Sequence, residues 1–379
     1  MATLDSDSEP GRDVSLKQLM TEVVGSGPKS AEDMTGPQAR GAMERILDSE
    51  PDPTTLGAFW LANRWKRNTP EELAAFLEAT RERTTVATPE ADPVDCGANY
   101  DGKRDSALLG VGAGLVSAAA GVPVTTHSGD RVPTHHAAAY KHALDELGVP
   151  TDLEPVDSAR MVDEVGFGFY YQPRFAPAID ALLERRDRMG VRTFINTIET
   201  LLNPAGASVH LGSFYHLSFA ERVIDTLARS ENSEFERVCM FQGLEGYDDI
   251  RPGYTKVAEW QADADDPIEG DEDAEGVTAG SLTDYEIETA AYGMDIEEDD
   301  LAVESVESDS AGITEAILRG EREGAFADAI ALNAAVRIYA GGGTETIEEG
   351  LGRAREAIEN SEAAARLEAL KGFTPEESS

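Results

Sequence analysis

From residue 97 onward, short apolar runs alternate with helix-patterned segments, and this alternation constrains the fold more than any other feature of the chain. The runs "GVPVTTH", "SVHLGSFY" and "RVCMFQG" are interleaved with "AAAYKHALDELG" and "FAERVIDTLARS", where apolar residues recur at helical spacing. Such alternation predicts a mostly parallel sheet covered by helices on both faces. The segment "APAIDALLERRDRMG" (176–190) interrupts it, with Ile179, Leu182, Leu183 and Arg186 on one helical stripe. The stretch 324–373 reads as helix–turn–helix–helix: "AGGG" closes the first helix, and Thr346, Glu348 and Glu349 open the second.

Residues 14–84 have a different texture and read as helices only. "TPEELAAFLEATRER" carries Thr69 as N-cap, Pro70 at the first helical position and Glu72 completing a capping box. "TTVATPEADPVDCG" (84–97) reads as a linker, residues 1–14 as a solvated tail and "QADADDPIEGDEDAEG" (261–276) as an acidic loop. With 379 residues, 41% of them hydrophobic, the chain can bury a sizeable core. No apolar run approaches the roughly 20 residues that span a bilayer. Two cysteines, Cys96 and Cys239, supply no disulfide framework, so a cytoplasmic location is expected.

Charge is the strongest compositional signal: 73 acidic residues stand against 32 basic ones, a formal net charge of -41. Arginine far outnumbers lysine among the cations. In dilute buffer such self-repulsion opposes the compact state, whereas at ~1 M salt the screening length falls to about 3 Å. The composition resembles that of proteins from salt-accumulating halophiles. An acidic surface also opposes nucleic-acid binding at low salt, because phosphate contacts dominate that affinity. The basic islands are "DGKRD" (101–105) and "LERRDRMG" (183–190).

Three constellations could carry chemistry. "GVGAG" (110–114) lacks the full spacing of a dinucleotide-binding turn, and small residues that let helices pack closely explain it better. Four histidines, His127, His135, His136 and His142, crowd one segment, but their spacing does not suit zinc and no cysteine is near. "EGYDDIRPG" sets Asp248 beside Asp249 at a turn signalled by Gly246, which would expose both. Paired carboxylates suit Mg2+, although an acidic protein has acidic turns in any case.

The order of "LGAFWLANRWKRNTPEELAAF", "AAAGVPV", "GFGFYYQPRFAPAIDALLERRDRMGVRTFINTIETLLNPA", "GYDDI" and "DAIALNAAVRIYAGG" resembles the anthranilate phosphoribosyltransferase family, over about residues 15–372. The resemblance implies an α/β fold of the type III nucleoside phosphorylase and phosphoribosyltransferase kind. A helical domain (15–88, completed by helices at about 176–191) would pack beside a larger α/β domain (89–175 and 192–373) with a mostly parallel sheet. It further implies a homodimer through the helical domains, an active site between the domains, and no membrane association. The expected reaction transfers phosphoribose from phosphoribosyl pyrophosphate (PRPP) to a small aromatic or amino acceptor. By resemblance Asp248 and Asp249 hold Mg2+, and Arg186 holds the acceptor carboxylate.

The phosphate-binding segment departs from the family. Alignment on "AAAGVPV" lays Asn99, Asp101, Gly102 and Lys103 over the family's glycine-rich phosphate loop, and "LLGV" over its Ser/Thr motif. "THSGDR" keeps His127 and Arg131 while losing a lysine and an asparagine. Lys103 and Arg104 put two cations where neutral donors are usual, and these could face the phosphates. Two functions stay open. One is a Mg2+-dependent phosphoribosyltransferase. The other is a non-catalytic paralogue binding nucleic acid or another polyanion through Lys103, Arg104 and the basic 184–188 helix. Nucleoside phosphorolysis would need a serine-rich phosphate site that "GANYDGKR" lacks.

The charge makes a direct prediction. Melting temperature should climb steeply between about 0.1 M and molar KCl as self-repulsion is screened. Equal melting temperatures in the two buffers would remove the argument for salt adaptation.

Overall fold

The computed structural model describes residues 11–22, 30–97, 101–131, 137–230, 235–262 and 280–376. Asn99, His135, His136, most of the N-terminal tail and most of the acidic loop lie outside the described residues.

Seven strands form one sheet in the order β3-β2-β1-β4-β5-β6-β7. They are β1 (Val94–Cys96), β2 (Val124–Ser128), β3 (Phe167–Tyr171), β4 (Val209–Ser213), β5 (Arg237–Phe241), β6 (Tyr254–Gln261) and β7 (Ser281–Glu288). β1 to β5 pair in parallel, as the alternation predicts, while β6 and β7 extend the sheet antiparallel. The three-residue β1 falls in the stretch read as a linker. It is too short to show a period of its own and is defined by parallel partners on both sides, β2 and β4.

Side chains alternate across the sheet. Along β5, Cys239 and Phe241 enter one apolar cluster and Val238 and Met240 the other. The first cluster packs beneath α5 (Gly110–Ala119) and the helices Val306–Leu318, Ala325–Ala340, Ile347–Glu359 and Glu362–Lys371. The second joins the opposite face to the N-terminal helices α1 (Leu16–Glu22), α2 (Gly36–Leu47), α3 (Pro53–Lys66) and α4 (Pro70–Arg81), and to the helix Leu217–Arg229. Ile179 and Leu182 are buried in this second cluster, alongside Phe59 of α3 and Phe76 of α4. The capping box of α4 forms as expected: the Thr69 side chain accepts from Glu72 N–H, and Glu72 accepts from Thr69 N–H.

"GVGAG" opens α5, which is buried along nearly its whole length. A Cβ on Gly114 would stand 2.7 Å from the Phe167 ring, and one on Gly110 would stand 2.0 Å from the Tyr140 hydroxyl. These glycines serve close packing. Among the described residues no helix is long and apolar enough to cross a membrane.

The order 3-2-1-4-5 puts a topological switch between β1 and β4, where crevices form at the carboxyl ends of parallel strands. Gly110→Ala should cost about 1–3 kcal/mol through overpacking against Tyr140. A denaturation midpoint equal to that of the wild type would contradict so close an approach.

Candidate functional site

The segment after β1 returns to the sheet through Lys103, which exchanges backbone hydrogen bonds with Ala138 at 2.8 and 3.1 Å. Gly102 permits this approach: its φ is +75°, and a Cβ there would lie 2.6 Å from the Ala138 carbonyl oxygen. The Lys103 side chain then runs inward. Its Nζ donates to the Ala107 carbonyl at 3.1 Å and pairs with Asp249 Oδ2 at 2.5 Å, with both side chains fully buried. Asp248 accepts from Tyr140 Oη at 2.5 Å and from Arg337 Nη2 at 3.0 Å, again in full burial. Burial pushes the Asp248 carboxyl up, and adjacent Asp249 adds to this while Arg337 pulls it down. The Tyr140 hydroxyl is pushed far up by the same desolvation and by both carboxylates.

This arrangement corrects the expectation of an exposed acidic turn. Asp248 and Asp249 each have an internal cation, and Lys103 is a structural counter-ion with no face toward a phosphate. The charges demand this. An unpaired buried carboxylate would be prohibitively costly, so each is matched by a cation on another element. Mg2+ at this pair would have to displace Lys103 or Arg337 from buried positions. Among the described residues no group of three or more His, Cys, Asp or Glu is disposed to hold a metal. The residues present do not fit Mg2+ at Asp248 and Asp249.

Glu245 was not singled out by its residue type, yet it organises the adjoining loop. Its carboxylate accepts from Arg104 N–H at 2.9 Å, from Ser106 N–H at 2.8 Å and from Ser106 Oγ at 2.5 Å. Those bonds and nearby Lys103 hold it below the usual range despite burial. Arg104 itself is exposed, and Arg131 pairs with Asp187.

Arg186 is buried and bidentate to Glu199, with both N···O distances 2.8 Å and each side chain 2% exposed. Gln172 Nε2 adds a third donor to Glu199 at 3.2 Å. The guanidinium expected to hold an acceptor carboxylate therefore already grips one from its own chain. Bidentate pairing engages both terminal nitrogens of the guanidinium.

A second buried cluster lies on the opposite face of the strands from Cys96 and Leu211. Asp95 of β1 registers with Thr125 on β2 and His210 on β4. Its carboxylate lies 2.8 Å from His210 Nδ1 and 3.4 Å from His127 Nε2. Burial alone would push Asp95 up, but the two imidazoles bring it down to about 2. His127 is thus a buried residue of β2 beside Asp95. The sequence carried a signal for His210, since a histidine between Val209 and Leu211 puts a polar group on a buried strand.

Beside this cluster lies a cavity of about 320 Å³ at the carboxyl ends of β1 and β4. Its lining includes Arg64 from α3, Arg192, Asn196, His210, Ser213 and Tyr215, with Phe214 and Phe219 among the apolar contributors. Arg64 Nη1 donates to the Arg192 carbonyl at 2.8 Å, and the Arg192 guanidinium pairs with Asp101. Of the residues expected in the site, Asp101 comes to the cavity's edge through Arg192. Lys103, Asp248 and Asp249 meet in the interior, while Arg131 pairs with Asp187 and Arg186 with Glu199.

Comparison with known proteins supplies the context. Residues 102–364 match the glycosyl transferase family a/b domain, and residues 19–84 match that family's helical bundle domain. An anthranilate phosphoribosyltransferase from Natronomonas pharaonis is 30% identical over 346 residues, covering 91% of this chain and 97% of the relative. The crystal structure of anthranilate phosphoribosyltransferase from Thermus thermophilus aligns at 26% identity and TM-score 0.74, over 90% of this chain and 96% of that one. The Saccharomyces cerevisiae enzyme in complex with PRPP and Mg shares the fold at TM-score 0.76 and 18% identity, over 94% and 96% of the two chains.

Asp249→Asn would leave Lys103 buried without its counter-charge. The expected loss is about 3–5 kcal/mol, read as a lowered denaturation midpoint in molar KCl. A midpoint unchanged from wild type would return the pair to the surface.

Proposed function

Because the chain belongs to the anthranilate phosphoribosyltransferase family of glycosyl transferases, we propose that it transfers phosphoribose from PRPP to a small aromatic or amino acceptor. The observation carrying this reading is the cavity at the β1–β4 switch point, walled by Arg64 of α3 on one side and strand ends on the other. Within the proposal, residues 15–88 with the helices at about 176–191 form the helical domain, and 89–175 with 192–373 the α/β domain. Bond cleavage at the ribose develops positive charge on the ring, as in other glycosyl transfers. Arg64 and Arg192 are the cations at the cavity suited to the donor's phosphates, through planar forks that match phosphate oxygens. Phe214 and Phe219 offer apolar walls for an acceptor ring.

Two features set this chain apart within the reading. Arg186 is committed to Glu199, so recognition of the acceptor passes through other groups. Asp248 and Asp249 do not fit Mg2+, so no step is routed through the metal here. A homodimer through the helical elements belongs to the same proposal. Leu61 and Trp65, one turn apart on α3 and 49% and 72% exposed, supply apolar surface for it.

The alternative, a non-catalytic binder of polyanions, draws support from the internal neutralisation of Asp248 and Asp249. It loses Lys103 and Arg186, which face inward, and keeps Arg104 and Arg188 as exposed cations. Titration calorimetry with PRPP in high salt, with and without Mg2+, separates the two. Arg192→Ala should weaken PRPP binding about 10- to 100-fold, the worth of a charge-assisted contact. Wild-type protein that binds DNA or RNA but no PRPP under any salt condition would overturn the enzyme reading.

A further inference from the structure

His210 sits in the cavity floor with one ring nitrogen committed and the other open. Nδ1 is 2.8 Å from Asp95 Oδ2, and Nε2 has no hydrogen-bond partner among the described residues although the side chain is fully buried. Buried polar atoms are normally satisfied, so an orphaned imidazole nitrogen beside a cavity points to a ligand. Two glycines make room for it. A Cβ on Gly97 would stand 2.5 Å from His210 Cε1, and one on Gly212 would stand 3.0 Å from Nε2. Both glycines and His210 line the same cavity, at the carboxyl ends of β1 and β4.

We propose that the Asp95–His210 pair is the proton acceptor of this cavity, with His210 Nε2 taking the proton from the nitrogen of an N–H acceptor. The proposal rests on the phosphoribosyl-transfer reading and adds to it the group that completes the exchange. Asp95 accepts the Nδ1–H bond and fixes the tautomer that leaves Nε2 with its lone pair, as a carboxylate does for an imidazole base. The acceptor nitrogen forms its bond to the anomeric carbon, and the carbon–oxygen bond to diphosphate breaks, the electron pair leaving with diphosphate. The proton released from nitrogen passes to Nε2, giving an imidazolium beside ionised Asp95, and returns to solvent as product leaves. The substrate class follows: the acceptor must present a nitrogen that carries a removable proton.

Other charged and titratable groups face the same space. Asp95 contacts His127 from β2, while Arg64, Arg192, Tyr215 and His216 share the cavity. Asp95, held at about 2, stays ionised through the working range, and burial raises the Tyr215 hydroxyl. His142, on the helix Tyr140–Glu146 and outside the cavity lining, is the control for loss of an imidazole elsewhere in the chain.

The test compares wild type, His210→Asn and His142→Gln in molar KCl, following diphosphate release from PRPP with a panel of aromatic amines. The amide of His210→Asn can still donate to Asp95, so placement is kept while the base is lost. Turnover should fall about 10²- to 10⁴-fold, the usual worth of a general base. PRPP affinity should stay unchanged, and the ascending limb of the pH–rate profile should disappear in His210→Asn but not in His142→Gln. Retained turnover, or an unaltered limb, would overturn the proposal. In parallel, diethyl pyrocarbonate is applied to folded wild type and modification is mapped by mass spectrometry. A reachable Nε2 is acylated, and PRPP should protect it. Wild type that turns over no amine fails the transfer reading itself, and the pyrocarbonate arm then decides His210: a His210 left unmodified, or modified without protection by PRPP, overturns the proposal, and PRPP-protected modification at His210 upholds it.

Discussion

The pairing of Lys103 with Asp249 fixes the loop between β1 and α5 against the turn that follows β5. Asp248, one residue earlier, makes the same connection to Arg337 on the helix Ala325–Ala340 and to Tyr140. Three distant parts of the chain are thereby closed around one turn by charge in a water-excluded place. Removing either partner leaves a bare charge, so the loop, the turn and the helix hold or fail together. With the turn in place, Glu245 can reach the loop and collect three donors from Arg104 and Ser106.

Scarce cations are used selectively. The chain carries 32 basic residues against 73 acidic ones, yet Lys66, Lys103, Arg186, Arg237 and Arg337 are turned inward to Glu72, Asp249, Glu199, Glu259 and Asp248. Each buried pair is neutral and leaves the net charge of -41 to the rest of the molecule, which suits a solvent rich in screening ions. Arginine takes three of these positions because its fork can satisfy several acceptors at once. Arg237, for example, reaches Glu259 and the Tyr339 and Ala340 carbonyls together.

Much of the fold is legible in the residues. Short apolar runs give β2, β4 and β5, and the cap at Thr69 and the start at Thr346 fall where the sequence puts them. β1 and β7 carry no core stripe for physical reasons: β1 is three residues long, and β7 exposes most of its side chains. The site was less legible. Residue type marked Asp248, Asp249 and Lys103 as chemically interesting, but their burial depends on Tyr140 and Arg337, which only the tertiary fold brings near. Arg186 met its carboxylate in Glu199, thirteen residues further on. His210 gave one local sign, a polar side chain on a buried strand, and its meaning needed Asp95 from a strand 115 residues earlier.

That separation also bears on how the chain assembles. β1 is the middle of the parallel sheet, but one of its flanks cannot form until β4 has been synthesised and brought back across the intervening chain. Long-range parallel pairing of this kind is slow, because loop closure must precede any gain from contact. The helices α1 to α4, built from near neighbours and capped in their own sequence, can form well before that. A nascent chain would then present finished helices beside an unfinished sheet whose central strand carries Asp95 in water. Molar salt, by quieting repulsion among the remaining carboxylates, should shorten that wait as well as steady the finished protein.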